Sequence, residues 1–357
     1  MKIWLRRCHL LLALLSGLFL INLSVSGALL VFGKEIQYLV NPSIWSVTPK
    51  KSHKPLSDLI TKIETYSGSK VKMFTTSPEP ELAWQARLMD KTFISINQYT
   101  GDVLLQYNFD DTFYGFVMYW HRWLIYESGN NKRPLKLYIS IASLILIIEM
   151  LFGLYMWFKP KKRLKRLKVK PSAKPKVLMY QLHTVIGVFS IVPLILIAFS
   201  GMAFHWKDQT KQIVNWLSPG EIESRPEAPK SIVKQHINLD FAYEQGQKVL
   251  SSGDIYRIYL PTEADSPLAL RIKMPKETYA YSWVWVDIYT GKILKVYDAQ
   301  TASMATQIWH FKYKFHIGDF IGLPVRILWL FISLLPLFFV ITGAYIWYFR
   351  KKINISR

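Results

Sequence analysis

The amino-acid sequence predicts a membrane protein: an α-helical bundle of four transmembrane helices with two small α+β extracytoplasmic domains, built by internal duplication. Three observations predict this class. Four stretches of the 357-residue chain are almost free of charge, and each is long enough to cross a bilayer. The basic residues that flank them, within a net charge of +21, fall on alternate ends of those stretches. The two halves of the chain also match one another at fixed offsets.

The uncharged runs are Leu10 to Phe32, Leu137 to Phe158, Val177 to Phe204 and Ile327 to Phe349. Each reaches the roughly 20 residues that a helix needs to span the hydrocarbon core. Only helices or closed barrels satisfy their backbone groups in lipid, and these runs lack the period-two alternation of barrel strands. The segment between the second and third runs, Lys159 to Lys176, holds ten Lys or Arg and no acid. Lys2, Arg6 and Arg7 precede the first run, and Arg350, Lys351, Lys352 and Arg357 follow the fourth. Basic residues in short flanking loops mark the cytoplasmic face. One path puts all three clusters there, with both termini inside. Position thus explains the positive charge by topology and by attraction to anionic lipid. The bilayer is the expected partner, and no nucleic acid is.

The divisions that follow are 1–33 (first helix), 34–136 (first outer domain), 137–158 (second helix), 159–176 (basic loop), 177–206 (third helix), 207–326 (second outer domain), 327–349 (fourth helix) and 350–357 (tail). The one cysteine, Cys8, lies at the inner border, so the outer segments fold without disulfides. Met1 to Gly27 could also be read as a signal peptide cleaved near Ser24 to Ala28. The repeat argues against cleavage, because a disposable leader has no reason to copy a helix in mid-chain.

His9 and His183 lie 174 residues apart, as do Ser26 and Ser200, and Gly27 and Gly201. Tyr99-Thr100-Gly101 and Tyr289-Thr290-Gly291 lie 190 apart, as do Gly153 and Gly343. The pattern of helix, outer domain and helix therefore occurs twice. Each outer motif reads as a β-hairpin, with an alternating strand ("FISIN", "WVWVD"), a Thr-Gly turn and a second strand. His53 to Gly68 and Leu239 to Gly253 read as amphipathic helices that stop at glycine.

Eight histidines occur. His9 and His183 fall at the inner ends of the first and third helices. His121 precedes the second helix and His316 the fourth, both on the outer side. Two imidazoles from facing helices can ligate one haem iron inside a bundle. A pair near each face would make an electron path across the bilayer. His9 to Ser26 spans roughly 26 Å at about 1.5 Å per residue, and a macrocycle at each end shortens the gap an electron must tunnel. No CxxCH occurs, so two haem b groups, held non-covalently, are expected. Gly17, Gly27, Gly187 and Gly201 would make room for porphyrin. Zinc or copper is a weaker reading, since no Cys, Met or carboxylate recurs beside these histidines.

The outer pairing has alternatives. The ungapped offset aligns His121 with His310. Pairing it with His316 needs an insertion in the first copy, for which Tyr126 to Pro134 is the natural place. His205 is a further candidate, while His53 and His236 receive no role. Arg122 and Arg326, at the outer border, could pair with haem propionates or with lipid headgroups. Glu149 lies inside the second run, where an unpaired carboxylate is costly. It reads as protonated, paired or part of a proton path.

These features carry a resemblance. His9 with Ser26-Gly27, "FHIGDFIGLPVRILW", "ITGAYIW" and the paired "YTG" hairpins are similar to the PepSY-associated transmembrane family of bacterial inner-membrane proteins. The likeness covers nearly the whole chain, and the motif around His316 is its most specific part. The family includes iron-regulated proteins and di-haem ferric-siderophore reductases. The resemblance implies four membrane helices, two periplasmic PepSY domains, and haem-ligand roles for His9, His183, His121 and His316. The chain departs from the pattern in the lengthened stretch after His121 and in Ala13, which stands where the third helix has Gly187.

The expected function is a membrane oxidoreductase. Electrons from an unidentified cytoplasmic or quinol donor would pass through both haems to a periplasmic acceptor, such as ferric iron in a siderophore. No Rossmann glycine fingerprint occurs, so a nicotinamide or flavin would need a partner protein. The alternatives are a non-enzymatic, membrane-anchored PepSY binding or regulatory protein and a siderophore-uptake accessory. Four helices with no broken pair make a transporter a poor fit.

Overall fold

The protein is described here by a computed structural model covering residues 2–129, 132–233 and 236–355. Its elements run α1 (Lys2–Val31), α2 (Gly33–Val40), α3 (Pro42–Trp45), α4 (Leu56–Ser67), β1 (Val71–Thr75), β2 (Trp84–Leu88), β3 (Phe93–Ile96), β4 (Val103–Tyr107), α5 (Phe113–Trp123), α6 (Leu135–Phe158), α7 (Pro175–Met202), α8 (Lys207–Leu217), α9 (Leu239–Val249), β5 (Asp254–Tyr259), β6 (Leu268–Lys273), β7 (Ser282–Val286), β8 (Ile293–Tyr297), α10 (Met304–Ile317) and α11 (Leu323–Ile355). They form two compact units. One comprises 1–33, 117–213 and 312–357; the other comprises 34–116 and 214–311.

In the first unit α1, α6, α7 and α11 are long and apolar enough to cross a membrane. Three correspond to the expected runs within a few residues at most ends. The fourth differs more, because α11 begins at Leu323 and stays helical to Ile355, so most of the expected tail at 350–357 is helix. Its last two residues lie outside the described residues. α1 packs against α6 and α11, and α7 packs against the same two, so α1 and α7 face one another across the bundle. Leu20, Leu146, Met150, Ile191, Leu194, Ala198, Trp329 and Ile332 fill the core between them. Pro336 interrupts the hydrogen-bond ladder of α11, and a break in lipid must be re-satisfied by a neighbour. Ser24 on α1 does this. Its hydroxyl donates to the Ser333 carbonyl and accepts from the Leu337 N–H at 3.3 Å.

The second unit holds one antiparallel sheet of order β4-β3-β2-β1-β5-β6-β7-β8. The sequence suggested two separate outer domains, whereas the structure joins the two meanders edge to edge. Met73, Phe74 and Thr75 of β1 pair with Tyr259, Ile258 and Arg257 of β5. The physical reason is the edge: β1 and β5 would each end a four-stranded sheet with a row of unpaired N–H and C=O groups, and pairing removes both edges. α4 and α9 pack on one face, with Leu59, Ile63, Ala242, Phe74, Ile258, Leu270 and Val284 in a single core that spans both meanders. The Ser57 N–H donates to Asp240 at 3.1 Å and links the two helices. The hairpin turns are alike: Asn97 Oδ1 accepts from the Tyr99 and Thr100 N–H groups at 2.9 and 3.2 Å, and Asp287 Oδ1 accepts from those of Tyr289 and Thr290 at 3.0 and 2.8 Å. Gly101 and Gly291 follow at φ of 76° and 70°, a conformation that favours glycine.

Candidate functional site

Within the bundle unit, four of the eight histidines form two pairs. His9 on α1 and His183 on α7 place their ring centres 6.4 Å apart, with planes at 89°. His121 on α5 and His316 on α10 stand 6.2 Å apart at 55°.

The outer pair is held by a repeated cradle. Ser26 Oγ donates to the Asn22 carbonyl at 2.6 Å and meets His121 Nδ1 at 2.9 Å. The Leu23 carbonyl also lies near His121. Ser200 Oγ donates to the Ile197 carbonyl at 2.9 Å and meets His316 Nδ1 at 3.0 Å. His316 Nδ1 also reaches the Ile197 carbonyl at 3.2 Å. Each serine hydroxyl gives its one proton to a carbonyl and so accepts from the imidazole, which puts the proton of each ring on Nδ1. The Nε2 of each is left with a lone pair to give. The neighbouring glycines complete the cradle. A Cβ on Gly27 would lie 3.3 Å from His121 Cε1, and one on Gly201 would lie 3.2 Å from His316 Cε1. These two glycines therefore admit an imidazole.

Helix ends bring these histidines into place. Trp120 Nε1 donates to Asn22 Oδ1 at 3.0 Å and docks α5 on α1. After α10 the chain reverses at Gly318, whose φ is 73° and whose missing Cβ would meet Trp329 at 2.4 Å. Only glycine fits this turn. It is the central element of the "FHIGDF" motif. The reversal after His121 lacks such a glycine and uses Leu124 and Ile125 at positive φ. Arg133 stabilises it, stacked 3.5 Å over Trp123. The insertion expected at Tyr126 to Pro134 falls partly on 130 and 131, which lie outside the described residues.

At the inner pair, His183 Nδ1 meets Thr342 Oγ1 at 2.7 Å, and that hydroxyl donates to the Phe338 carbonyl at 2.8 Å. Phe339 packs its ring 5.2 Å from that of His183. His9 Nδ1 is buried and has no hydrogen-bond partner.

The donor set suits a haem iron. Two imidazoles on one metal stand apart by two bonds of about 2 Å plus roughly 1 Å from each ring centre to its nitrogen, some 6 Å in all. Both pairs have that separation. Three of the four rings anchor Nδ1 on a protein oxygen, as metal-ligating histidines do. Burial, reinforced by His316 and Arg122 and opposed by the Leu23 carbonyl, pushes His121 down to about 3. Burial likewise lowers His316. Both are neutral near pH 7, the form that binds metal.

The remaining candidates lie elsewhere. His310 belongs to the sheet unit, where its ring stacks 3.9 Å from Tyr281. His205 lies beside Trp206, 6.0 Å between ring centres, and in neither pair. The Arg326 guanidinium donates to the Val31 carbonyl at 2.5 Å and lies over Phe32, so it anchors the end of α1. Arg122 lies 4.8 Å over Trp123. The His53 Nδ1–H donates to the Lys54 carbonyl at 2.8 Å, and His236 is exposed. Ser26 and Ser200 were visible in the sequence as repeat partners but not as imidazole anchors. Thr342 gave no signal, because its repeat mate is Phe152.

Residues 6–350 match the family model described as "PepSY-associated TM region". No curated protein matches the chain.

Proposed function

The chain belongs to the PepSY-associated transmembrane family, and from that premise we propose that it is a di-haem b oxidoreductase of the bacterial inner membrane. In this reading it is a duplicated protein with both termini cytoplasmic and the sheet unit in the periplasm. His9 and His183 would hold one haem near the inner face, and His121 and His316 a second near the outer face. The observation that carries the proposal is the pair of half-buried imidazole couples at the separation a shared iron requires. Haem supplies reversible one-electron chemistry when bound. The protein's part is to orient each Nε2, keep the imidazoles neutral and exclude water. Along α1, His9 and the Ser26 anchor of His121 are 17 residues apart, roughly 26 Å; His183 and Ser200 repeat that spacing on α7.

Electrons would enter from a cytoplasmic or quinol donor and leave to a periplasmic acceptor, ferric iron in a siderophore. One electron converts Fe(III) to Fe(II), which hard oxygen ligands hold less tightly, so the metal is released. The bilayer is the medium, and the sheet unit would offer the docking surface.

The test is optical. Protein purified from haem-replete cells should show b-type bands at two haems per chain. His9→Ala or His183→Ala should each remove one haem, and His121→Ala or His316→Ala the other, with reduction of a ferric chelate lost in all four. A colourless wild-type preparation would overturn the proposal and leave a membrane-anchored binding protein.

A further inference from the structure

We infer that Glu149 is the positioning partner of His9: its carboxyl accepts the Nδ1–H of that imidazole, the role that hydroxyls fill for the other three. The inference rests on the di-haem reading and extends it. Of the four paired imidazoles, only His9 has a buried Nδ1 without a hydrogen-bond partner. Glu149 is the only acidic residue in the four membrane spans. It is 5% exposed, and its Oε1 also lacks a hydrogen-bond partner. An unpaired carboxyl group in a membrane bundle is costly and marks function by default.

Three observations bring the two together. Glu149 faces the core, since Leu146, Glu149 and Met150 are the buried positions of that turn of α6. Both lie toward the same end of helices that pack together: Glu149 nine residues before the end of α6 at Phe158, and His9 seven after the start of α1 at Lys2. The repeat then sets the register. Glu149 matches Phe339 at the offset of 190 that joins Gly153 to Gly343, and the Phe339 ring rests against His183. A Cβ on Gly187, the match of Ala13, would likewise lie 3.8 Å from Phe339. α6 thus offers Glu149 to His9 where α11 offers Phe339 to His183. Rotation of the glutamate side chain completes the hydrogen bond.

A carboxyl on Nδ1–H orients Nε2 and makes the imidazole a stronger donor, which favours ferric over ferrous iron. The inner site should then have the lower reduction potential, which favours electron flow outward.

Spectroelectrochemical titration of the purified holoprotein tests this. Glu149→Gln should retain two haems and raise one midpoint potential, that of the haem lost in His9→Ala, leaving the other in place. Glu149→Asp, which keeps a carboxyl group, should restore part of the shift and supplies the comparison if the glutamine variant fails to assemble. Unchanged midpoints, or a shift in the haem that depends on His121, would overturn the inference while leaving the di-haem reading intact. A wild-type protein without haem would overturn both.

Discussion

Ser26→Ala isolates the outer cradle. Ser26 is fully buried, and its hydroxyl is an anchor for His121 Nδ1 at 2.9 Å. Removing it takes away the acceptor of an imidazole N–H inside the protein. Loss of such a partner costs about 1–3 kcal/mol. At tenfold per about 1.4 kcal/mol, that is roughly 5- to 150-fold in haem affinity, in line with the roughly 10- to 100-fold seen when the outer shell of a metal ligand is removed. The assay is transfer of haem to an excess of an acceptor protein, followed in a His9→Ala background where only the outer haem remains. Ser16→Ala is the control. Ser16 is also buried on α1 and donates to a carbonyl of its own helix, Leu12, at 3.0 Å, but no imidazole touches it. Haem retention in the Ser26 variant equal to that of the control would refute the claim that the serine holds the ring.

Gly201→Val should abolish the outer haem and spare the inner one, because even a Cβ there would stand 3.2 Å from His316 Cε1; equal haem stoichiometry to wild type would count against the cradle. His310→Ala and His205→Ala should both keep two haems by pyridine haemochrome assay, since neither ring lies in a pair. Asp287→Ala should destabilise the sheet unit by about 1.5–3 kcal/mol, the loss of hydrogen bonds to a charged group. Asp287→Asn should be close to wild type in thermal unfolding, because Asn97 already caps the matching turn.

The membrane helices were legible in the sequence because lipid imposes one simple rule, about 20 uncharged residues per span. The hairpins around Gly101 and Gly291 were legible because a positive-φ glycine between alternating strands has few other readings. β1, β2, β5 and β6 were not read. "VKMFT" and "WQARL" mix charge into short strands, and their partners lie on other segments of the chain. Joining of the two meanders through β1 and β5 was equally hidden, since an edge strand does not announce its neighbour. At the site, the sequence placed four histidines at helix ends and paired His121 with His316, but left His310 and His205 open as alternatives. The reversal at Gly318, an event of backbone geometry, turns His316 toward Ser200, while His310 stacks on Tyr281.

The Ser-Gly pair recurs together with its imidazole. The outer cradles share the serine hydroxyl on the imidazole Nδ1 and the bare glycine after it, on α1 and again on α7, while the hydroxyl donates to the carbonyl four residues back on α1 and three back on α7. The inner positions have diverged, with Thr342 and Phe339 beside His183 and their matches, Phe152 and Glu149, on α6. Packing alone would favour keeping the apolar Phe339 type at both positions, because a carboxyl in the bundle costs far more than a ring. A single acid retained against that cost, on the face that carries the core and toward the same end as the one unanchored imidazole, is best explained by a contribution to that imidazole. The bundle would then hold two sites of one geometry and two electrostatic characters.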